Sequence, residues 1–218
     1  MLKAVIFDMD GLMVDTEVIS FQCYKDIIES YHFPFTLDEY IQSYPGRPLH
    51  TSIQFIKEHY QLDFQVEEKI QLFKSLEEKY MKKDGVQLKK GLLPLLQYLQ
   101  DHHIQTIVAT SSIRERADQI LNSHNIMKYF DDIVCGNEVK NGKPFPDIFL
   151  KACEKLDVQT CNALVLEDSE AGIQAAYDAQ IPVICIPDMK YPHEKYIQKV
   201  EHIYTSLEDV ISYLENHI

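Results

Sequence analysis

The chain alternates between short apolar runs and longer segments with helical periodicity. The apolar runs lack the polar alternation of a half-exposed strand, so they predict strands that are covered on both faces. These runs are 3–8, 105–110, 132–135, 163–167 and 182–186. Strands of this kind separated by helices indicate an α/β fold with a doubly wound, mostly parallel sheet.

The segments between the strands place apolar residues three or four positions apart, as on the buried face of a helix. We expect helices over 91–102, 113–124 and 146–156. Their predicted buried positions are Leu92, Leu95, Leu96, Leu99, Ile113, Ala117, Ile120, Leu121, Phe149, Ala152, Cys153 and Leu156. A last helix should begin at Ser206, which forms a capping-box pattern with Asp209.

One long segment departs from this alternation. Residues 16–85 show helical periodicity and no convincing strand pattern, and Thr36 with Glu39 marks one helix start. A later helix in the segment should bury the stripe Val66, Ile70, Phe73 and Tyr80. We therefore expect an α/β core domain made of 1–15 and 86–218, with an all-helical domain inserted between its two parts.

Composition narrows the class of protein. The 218 residues include 45% hydrophobic residues and carry a formal charge of −13, with Lys and Arg scattered along the chain. Such a charge repels polyphosphate, so we expect no nucleic-acid partner. With no apolar run of transmembrane length and no signal sequence before the first strand, we expect no membrane partner. Five cysteines without a CxxC pair favour the cytoplasm, and nothing requires more than a monomer.

Polar residues follow several of the predicted strands. Because ligands of open α/β sheets bind beyond the carboxyl ends of the strands, these residues should meet at one edge. They are Asp8, Asp10, Thr110, Ser111, Ser112, Glu167 and Asp168, with Lys143 just before the helix at 146. Neighbouring carboxylates at the end of an apolar strand are unfavourable without a compensating charge. The pattern therefore predicts that a cation and a phosphate complete the site.

The chain resembles the haloacid dehalogenase superfamily in four motifs that occur in that family's order. They are Asp8-x-Asp10-Gly11, the strand-end Thr110, Lys143-Pro144-x-Pro146-Asp147 and Glu167-Asp168-Ser169-x-x-Gly172. The helical insert resembles the C1-type cap of the branch that holds β-phosphoglucomutase and sugar-phosphate phosphatases. Any one motif is common by chance, whereas four in order across the whole chain are specific.

The resemblance implies an Mg²⁺-dependent phosphohydrolase that acts on a small phosphate ester, such as a sugar phosphate. Phosphoryl transfer needs an in-line nucleophile, charge neutralisation and a proton donor for the leaving oxygen. Asp8 can attack phosphorus and form an aspartyl-phosphate. Asp10 can protonate the leaving group and then deprotonate the water that clears the intermediate.

An oxygen-rich site without thiols favours a hard cation, so Mg²⁺ is the expected cofactor. The resemblance implies that the ion is bound by Asp8, the backbone carbonyl of Asp10 and Asp168, with Glu167 as a further ligand or a support. The phosphate oxygens would be bound by Thr110, Ser111 and Lys143.

Arg47 lies in the stretch YPGRPL of the helical insert. Gly46 between two prolines suggests a rigid turn that presents the arginine. In the family, such a cap loop contacts the substrate or a second phosphate. A helix connector that carries a solvated arginine fits the same pattern.

Other functions stay open at this point. A phosphomutase resembling β-phosphoglucomutase would use the same core motifs, although Ser20 stands where that branch usually has a histidine. In a dehalogenase, Asp10 would have no role as a general acid, because a halide leaving group needs no proton. A catalytically silent binding module is disfavoured because the nucleophile, the lysine and the metal carboxylates are all present.

Overall fold

A single parallel sheet forms the centre of the fold. The structure, a computed structural model, describes residues 1–216 except for the side chain of Asp84. Within these residues the strands are β1 (Ala4–Phe7), β2 (Gln105–Thr110), β3 (Asp132–Cys135), β4 (Ala163–Glu167), β5 (Val183–Cys185) and β6 (His202–Ile203). Their order is β3-β2-β1-β4-β5-β6, and every pairing is parallel. This order steps outward from β1 in both directions, so the predicted doubly wound fold is confirmed.

The predicted strands differ little from the observed ones. The ranges 3–8 and 182–186 each extend one residue beyond β1 and β5 at both ends, and the other three predictions match the observed bounds. The strand β6 was not predicted. It has two residues at the edge of the sheet, which is too short for a hydrophobic pattern to indicate a strand.

Helices connect the strands. They are α1 (Glu17–Glu29), α2 (Leu37–Ser43), α3 (Leu49–His59), α4 (Val66–Asp84), α5 (Leu92–Asp101), α6 (Arg114–Ser123), α7 (Asp147–Leu156), α8 (Glu170–Asp178), α9 (Glu194–Ile197) and α10 (Leu207–Glu215). The predicted helices agree with α5, α6 and α7 to within one residue at each end. As predicted, Ser206 precedes α10, and its N–H donates to the Asp209 carboxylate over 3.1 Å. Across the described residues, no helix combines the length and apolarity that crossing a bilayer requires.

Both faces of the sheet are buried. On one face, α7 and α8 pack against alternate strand residues; this cluster includes Ala4, Ile6, Ile107, Ala109, Val134, Val165, Phe149, Ala152, Ile173 and Ala176. The intervening residues Val5, Phe7 and Val108 are also fully buried and point to the opposite face. The predicted helix faces are buried at every position except Ile113. That side chain is 53% exposed, because Ile113 precedes the first residue of α6 and does not lie on its buried face.

The chain forms two compact units. One consists of Met1–Val14 and the chain from Leu88 onward, and it contains the sheet; the other is Asp15–Gln87. Among its described residues, the second unit has the helices α1 to α4 and no strand. Thr36 caps α2 as predicted, with its Oγ1 accepting from the Glu39 N–H over 3.2 Å.

The predicted stripe on α4 is only partly buried. Phe73 is 5% exposed, whereas Val66, Ile70 and Tyr80 are of intermediate exposure. The prediction that all four are buried is therefore wrong for three of them. The helix packs along α1 and α3, which leaves the flanks of its apolar stripe at the surface. Tyr80 uses this position to donate from its Oη to Asp26 over 2.6 Å.

Candidate active site

An acidic cluster lies where β1 and β4 end side by side. The strand order reverses between these two strands, so their carboxyl ends form the switch point at which α/β sheets bind ligands. Asp8 follows β1, and its N–H donates to the Leu166 carbonyl over 3.0 Å. Glu167 ends β4, and Asp168 follows it. One carboxylate oxygen from each of Asp8, Glu167 and Asp168 lies within 4.8 Å of the other two.

The Lys143 ammonium lies inside this cluster. Its Nζ donates to Glu167 Oε1 over 2.6 Å and also to Asp8 Oδ1. The side chains of Lys143, Asp8 and Glu167 are 5%, 9% and 1% exposed, so this ion pair is removed from water. Asp8 and Glu167 therefore share one buried lysine, and the Asp168 carboxylate lies beside them.

Burial dominates the electrostatics of these groups. For Asp8, burial raises the pKa, Lys143 opposes this shift, and Glu167 and Asp10 add to it, so that the pKa is about 8 overall. Burial also raises the pKa of Asp168 well above its usual range, and Glu167 and Asp8 add to this effect. For Lys143 burial lowers the pKa, but Asp8 and Glu167 outweigh it, so the pKa is raised overall. The lysine stays charged, and the carboxyl groups need further positive charge to ionise together.

We expect the metal-free protein to lose stability as the pH rises toward 8. The pKa of Asp8 is raised in the folded state from the usual 3.8 to about 8, so folding favours its protonated form. This contribution is complete below the unfolded pKa and is lost as the pH rises through the folded one. Thermal unfolding in EDTA, from about pH 4 to about pH 9, measures the effect. Asp8→Asn should flatten the profile, and identical profiles for the two proteins would contradict the assignment.

Both oxygens of Glu167 are already engaged. Oε1 accepts from Lys143, while Oε2 accepts from the Asp168 N–H, the Ser169 N–H and the Ser169 hydroxyl over 2.8, 2.8 and 2.9 Å. Ser169 also caps α8, since its Oγ accepts from the Gly172 N–H over 3.1 Å. Of the two predicted roles for Glu167, this arrangement favours support of Lys143 and Asp168 over a metal ligand.

Two motif glycines leave room for these carboxylates. Gly11 closes the turn after Asp10 with φ +86°, and a Cβ there would lie 2.4 Å from Asp168 Oδ2. A Cβ on Gly172 would lie 1.7 Å from Glu167 Oε1. Any larger residue at either position would have to displace a carboxylate of the cluster.

The Asp10 carboxylate is bound by the segment that follows β2. Arg116 Nη1 donates to Asp10 Oδ1 over 2.6 Å, and Ser112 Oγ donates to Asp10 Oδ2 over 2.8 Å. Thr110 Oγ1 accepts the Ser112 N–H over 3.0 Å and lies 3.4 Å from Asp10 Oδ2. Arg116 was not among the predicted site residues. It is a polar residue in the first turn of α6, which is typical of a surface position, so nothing in the sequence pattern indicates its contact with Asp10.

Two other predicted residues are placed away from these contacts. The Ser111 side chain is exposed, and its backbone carbonyl lies against Gly136, where a Cβ would come within 2.4 Å. Arg47 belongs to the unit Asp15–Gln87, and its guanidinium lies 4.5 Å from the centroid of the Phe55 ring. The roles of Ser111 and Arg47 stay predictions.

Asp188 is a further carboxylate near the cluster. It follows β5, its side chain is 10% exposed, and the Lys89 ammonium pairs with it. Its charge helps to raise the pKa of Asp168. The rule that ligand-binding residues follow strands would have predicted Asp188 if it had been applied to β5.

The fold and this cluster define an α/β enzyme with an acidic site at the switch point of its sheet. Residues 5–186 match the family model of the haloacid dehalogenase-like hydrolases. This match covers most of the chain, which therefore belongs to that family. The resemblance inferred from the four motifs is confirmed.

The relatives include named phosphatases and a phosphomutase. The phosphorylated carbohydrates phosphatase of Thermotoga maritima is 34% identical over 183 residues, which are 83% of this chain and 82% of that protein. The β-phosphoglucomutase of Bacillus subtilis is 34% identical over 198 residues, covering 82% of this chain and 80% of that one. The crystal structure of a β-phosphoglucomutase-like protein of T. maritima covers 100% of both chains with a TM-score of 0.83 and 28% identity. The predicted enzyme class, a phosphatase of this superfamily, is confirmed.

Proposed function

We propose that the protein is an Mg²⁺-dependent phosphohydrolase of small phosphorylated metabolites, such as sugar phosphates, and that Asp8 is its nucleophile. The observation that carries the proposal is the buried pairing of Asp8 and Glu167 with Lys143 at the switch point, with the Asp168 carboxylate beside them. A neutral substrate has no use for such a site. A phosphate ester supplies oxygens for the ammonium and a phosphorus atom for the carboxylate.

In the first half of the proposed reaction, Asp8 attacks phosphorus in line with the leaving oxygen. A bond forms between the Asp8 carboxylate and phosphorus, and the bond from phosphorus to the leaving oxygen breaks. Asp10 gives its proton to that oxygen. In the second half, Asp10 takes a proton from water, the water oxygen attacks phosphorus, and phosphate leaves Asp8.

The residues around Asp8 would stabilise the charge that moves in these steps. Lys143, already within hydrogen-bond distance of Asp8, would bind the phosphate oxygens, and Thr110 and Ser111 would complete their binding. Glu167 orients the lysine through Oε1. Preorganised donors of this kind usually supply the largest part of transition-state stabilisation.

The donor set fits Mg²⁺. The buried carboxyl groups outnumber the one lysine among them, and hard cations prefer carboxylate and carbonyl oxygens. Asp8, Asp168 and the backbone carbonyl of Asp10 would bind the ion, with Glu167 supporting them. When bound, it would neutralise the phosphate and allow Asp8 and Asp168 to ionise together.

We also propose that the helical unit is a cap domain with the boundaries 16–85 predicted from the sequence, and that 1–15 and 86–218 form the core domain. The unit of four helices follows the first motif directly, as C1-type caps do in the resembling family. Arg47 would then contact the substrate. We further propose that the protein is a cytoplasmic monomer and that its partners are small phosphate esters. The location and the oligomeric state rest on the amino-acid composition alone.

Hydrolysis of p-nitrophenyl phosphate tests the proposed function. We expect phosphate release with added Mg²⁺, a fall of about tenfold or more in EDTA, and recovery when Mg²⁺ is restored in excess. Equal rates with and without EDTA would contradict the metal assignment. If the protein with Mg²⁺ released no phosphate from any of a panel of phosphorylated metabolites, the proposed phosphohydrolase activity would be contradicted.

A phosphomutase is the second candidate, supported by the relative in B. subtilis that is 34% identical. Both activities pass through the same aspartyl-phosphate, so the core motifs do not separate them. Ser20, where the mutase branch usually has a histidine, favours the phosphatase. Incubation of β-glucose 1-phosphate with a trace of the 1,6-bisphosphate decides between them. Free phosphate should appear first, and glucose 6-phosphate before phosphate would reverse the ranking.

A further inference from the structure

Asp10, Ser112 and Arg116 form a closed ring of hydrogen bonds. Arg116 Nη1 donates to Asp10 Oδ1 over 2.6 Å and to Ser112 Oγ over 2.5 Å, and Ser112 Oγ donates to Asp10 Oδ2 over 2.8 Å. The side chains of Arg116 and Asp10 are 20% and 26% exposed. Each oxygen of the carboxylate thus has its own donor, and rotation of the Asp10 side chain would break both contacts.

The ring separates the two carboxylates of the first motif. Asp8 is paired with Lys143, which precedes α7, and Asp10 is paired with Arg116 from the first turn of α6. The two aspartates are therefore paired with different cations. The two groups are bound by different elements and can act one after the other.

The ring fixes the orientation of both oxygens of Asp10. Arg116 has donors and no acceptor, so Asp10 Oδ1 can only accept from it. The Ser112 hydroxyl accepts from Arg116 and donates its hydrogen to Asp10 Oδ2. The side chain that is proposed to take a proton from water is therefore held in one place by two residues of the same segment.

We propose that Arg116 is a positioning residue that sets Asp10 as the base of the second half-reaction. This inference rests on the proposed function, in which Asp10 has just protonated the leaving oxygen. Arg116 and Ser112 then hold the carboxylate in one orientation. From there an Asp10 oxygen takes the proton of water, the water oxygen bonds to phosphorus, and the bond from phosphorus to Asp8 breaks. Loss of Arg116 slows this step and leaves the first half of the reaction intact with a good leaving group.

Pre-steady-state hydrolysis of p-nitrophenyl phosphate by Arg116→Ala tests this proposal. The nitrophenolate leaves without a proton, so formation of the aspartyl-phosphate should keep its wild-type rate. Its hydrolysis should slow on the order of 10-fold to 100-fold, as expected when a reacting group is misplaced. The variant should therefore release a burst of about one nitrophenolate per active site before a slow steady rate. Phosphate release should show no burst.

Matched variants separate positioning from a general structural effect. Arg114, two residues earlier on α6, donates to the Ile133 carbonyl over 2.8 Å and pairs with Glu138 instead. Arg114→Ala should behave like wild type. Arg116→Lys should recover part of the steady rate, and Arg116→Gln, which preserves the side-chain length, should give the same burst as Arg116→Ala. In an Asp10→Asn background, Arg116→Ala should cause no further loss.

The outcomes distinguish failure of this inference from failure of the proposed function. A burst in Asp10→Asn together with wild-type kinetics in Arg116→Ala and Arg116→Gln would overturn the role of Arg116 and leave Asp10 as the base. An equal loss from Arg116→Ala in the wild-type and Asp10→Asn backgrounds would also overturn it. Absence of an aspartyl-phosphate in every variant, wild type included, would instead overturn the proposed function.

Discussion

Asp8→Asn should reduce the turnover of phosphate esters by about 10⁴-fold or more, a loss comparable to those seen when an enzyme nucleophile is removed. The amide has nearly the same shape as the carboxylate but does not attack phosphorus. No phosphate should then be found on the protein after an acid quench. The carboxyl group that is lost is buried and has a pKa of about 8. Its removal should therefore leave the melting temperature in EDTA at pH 8 unchanged or higher.

Asp118→Asn is the matched control for this loss. Asp118 lies on α6, and its side chain is 44% exposed and lies 3.9 Å from Arg114. We expect wild-type turnover, since a single exposed ion pair contributes at most about 1 kcal/mol. A folded Asp8→Asn protein that retains a tenth or more of the wild-type rate would remove Asp8 as the nucleophile.

The sheet and the core of the site could be predicted because they depend on local patterns. Continuous apolar runs distinguish strands that are buried on both faces, and the parallel order follows from the alternation of strands with helices. Parallel strands bring their carboxyl ends to one edge. Asp8, Glu167 and Asp168 could therefore be placed together although about 160 residues separate them in the chain. The motif context added Lys143, which does not follow a strand.

Other features depend on contacts that no local pattern shows. Arg116 is a polar residue in the first turn of α6, and its sequence context is that of an exposed helix position. Its pairing with Asp10 is therefore visible only in the folded chain. From the sequence, Glu167 could either bind the metal ion or support the residues that do. Its four hydrogen bonds in the structure favour the supporting role. The apolar stripe on α4 has the same periodicity as the stripe of a fully buried helix. How much of the stripe is buried depends on how many other helices pack against α4, which the sequence pattern does not show.

The reason for Gly172 is also visible only in the structure. Gly172 lies in α8, where alanine would ordinarily be more favourable than glycine by up to about 1 kcal/mol. Here the added methyl group would lie 1.7 Å from Glu167 Oε1 and must push that carboxylate aside. Glu167 is fully buried and binds Lys143, so its displacement leaves a buried charge without its partner. We expect Gly172→Ala to lower the free energy of unfolding by about 3 kcal/mol or more.

Gly142→Ala provides the matched control, because no heavy atom lies within 4 Å of the position that its Cβ would take. It should change the free energy of unfolding by less than about 0.5 kcal/mol. Urea unfolding of both variants measures the difference, and p-nitrophenyl phosphate turnover reports whether Lys143 remains in place. Gly172→Ala should lose activity even under conditions in which it is folded, since Glu167 no longer orients the lysine. A Gly172→Ala protein as stable and as active as Gly142→Ala would show that the cluster does not depend on the position of Glu167.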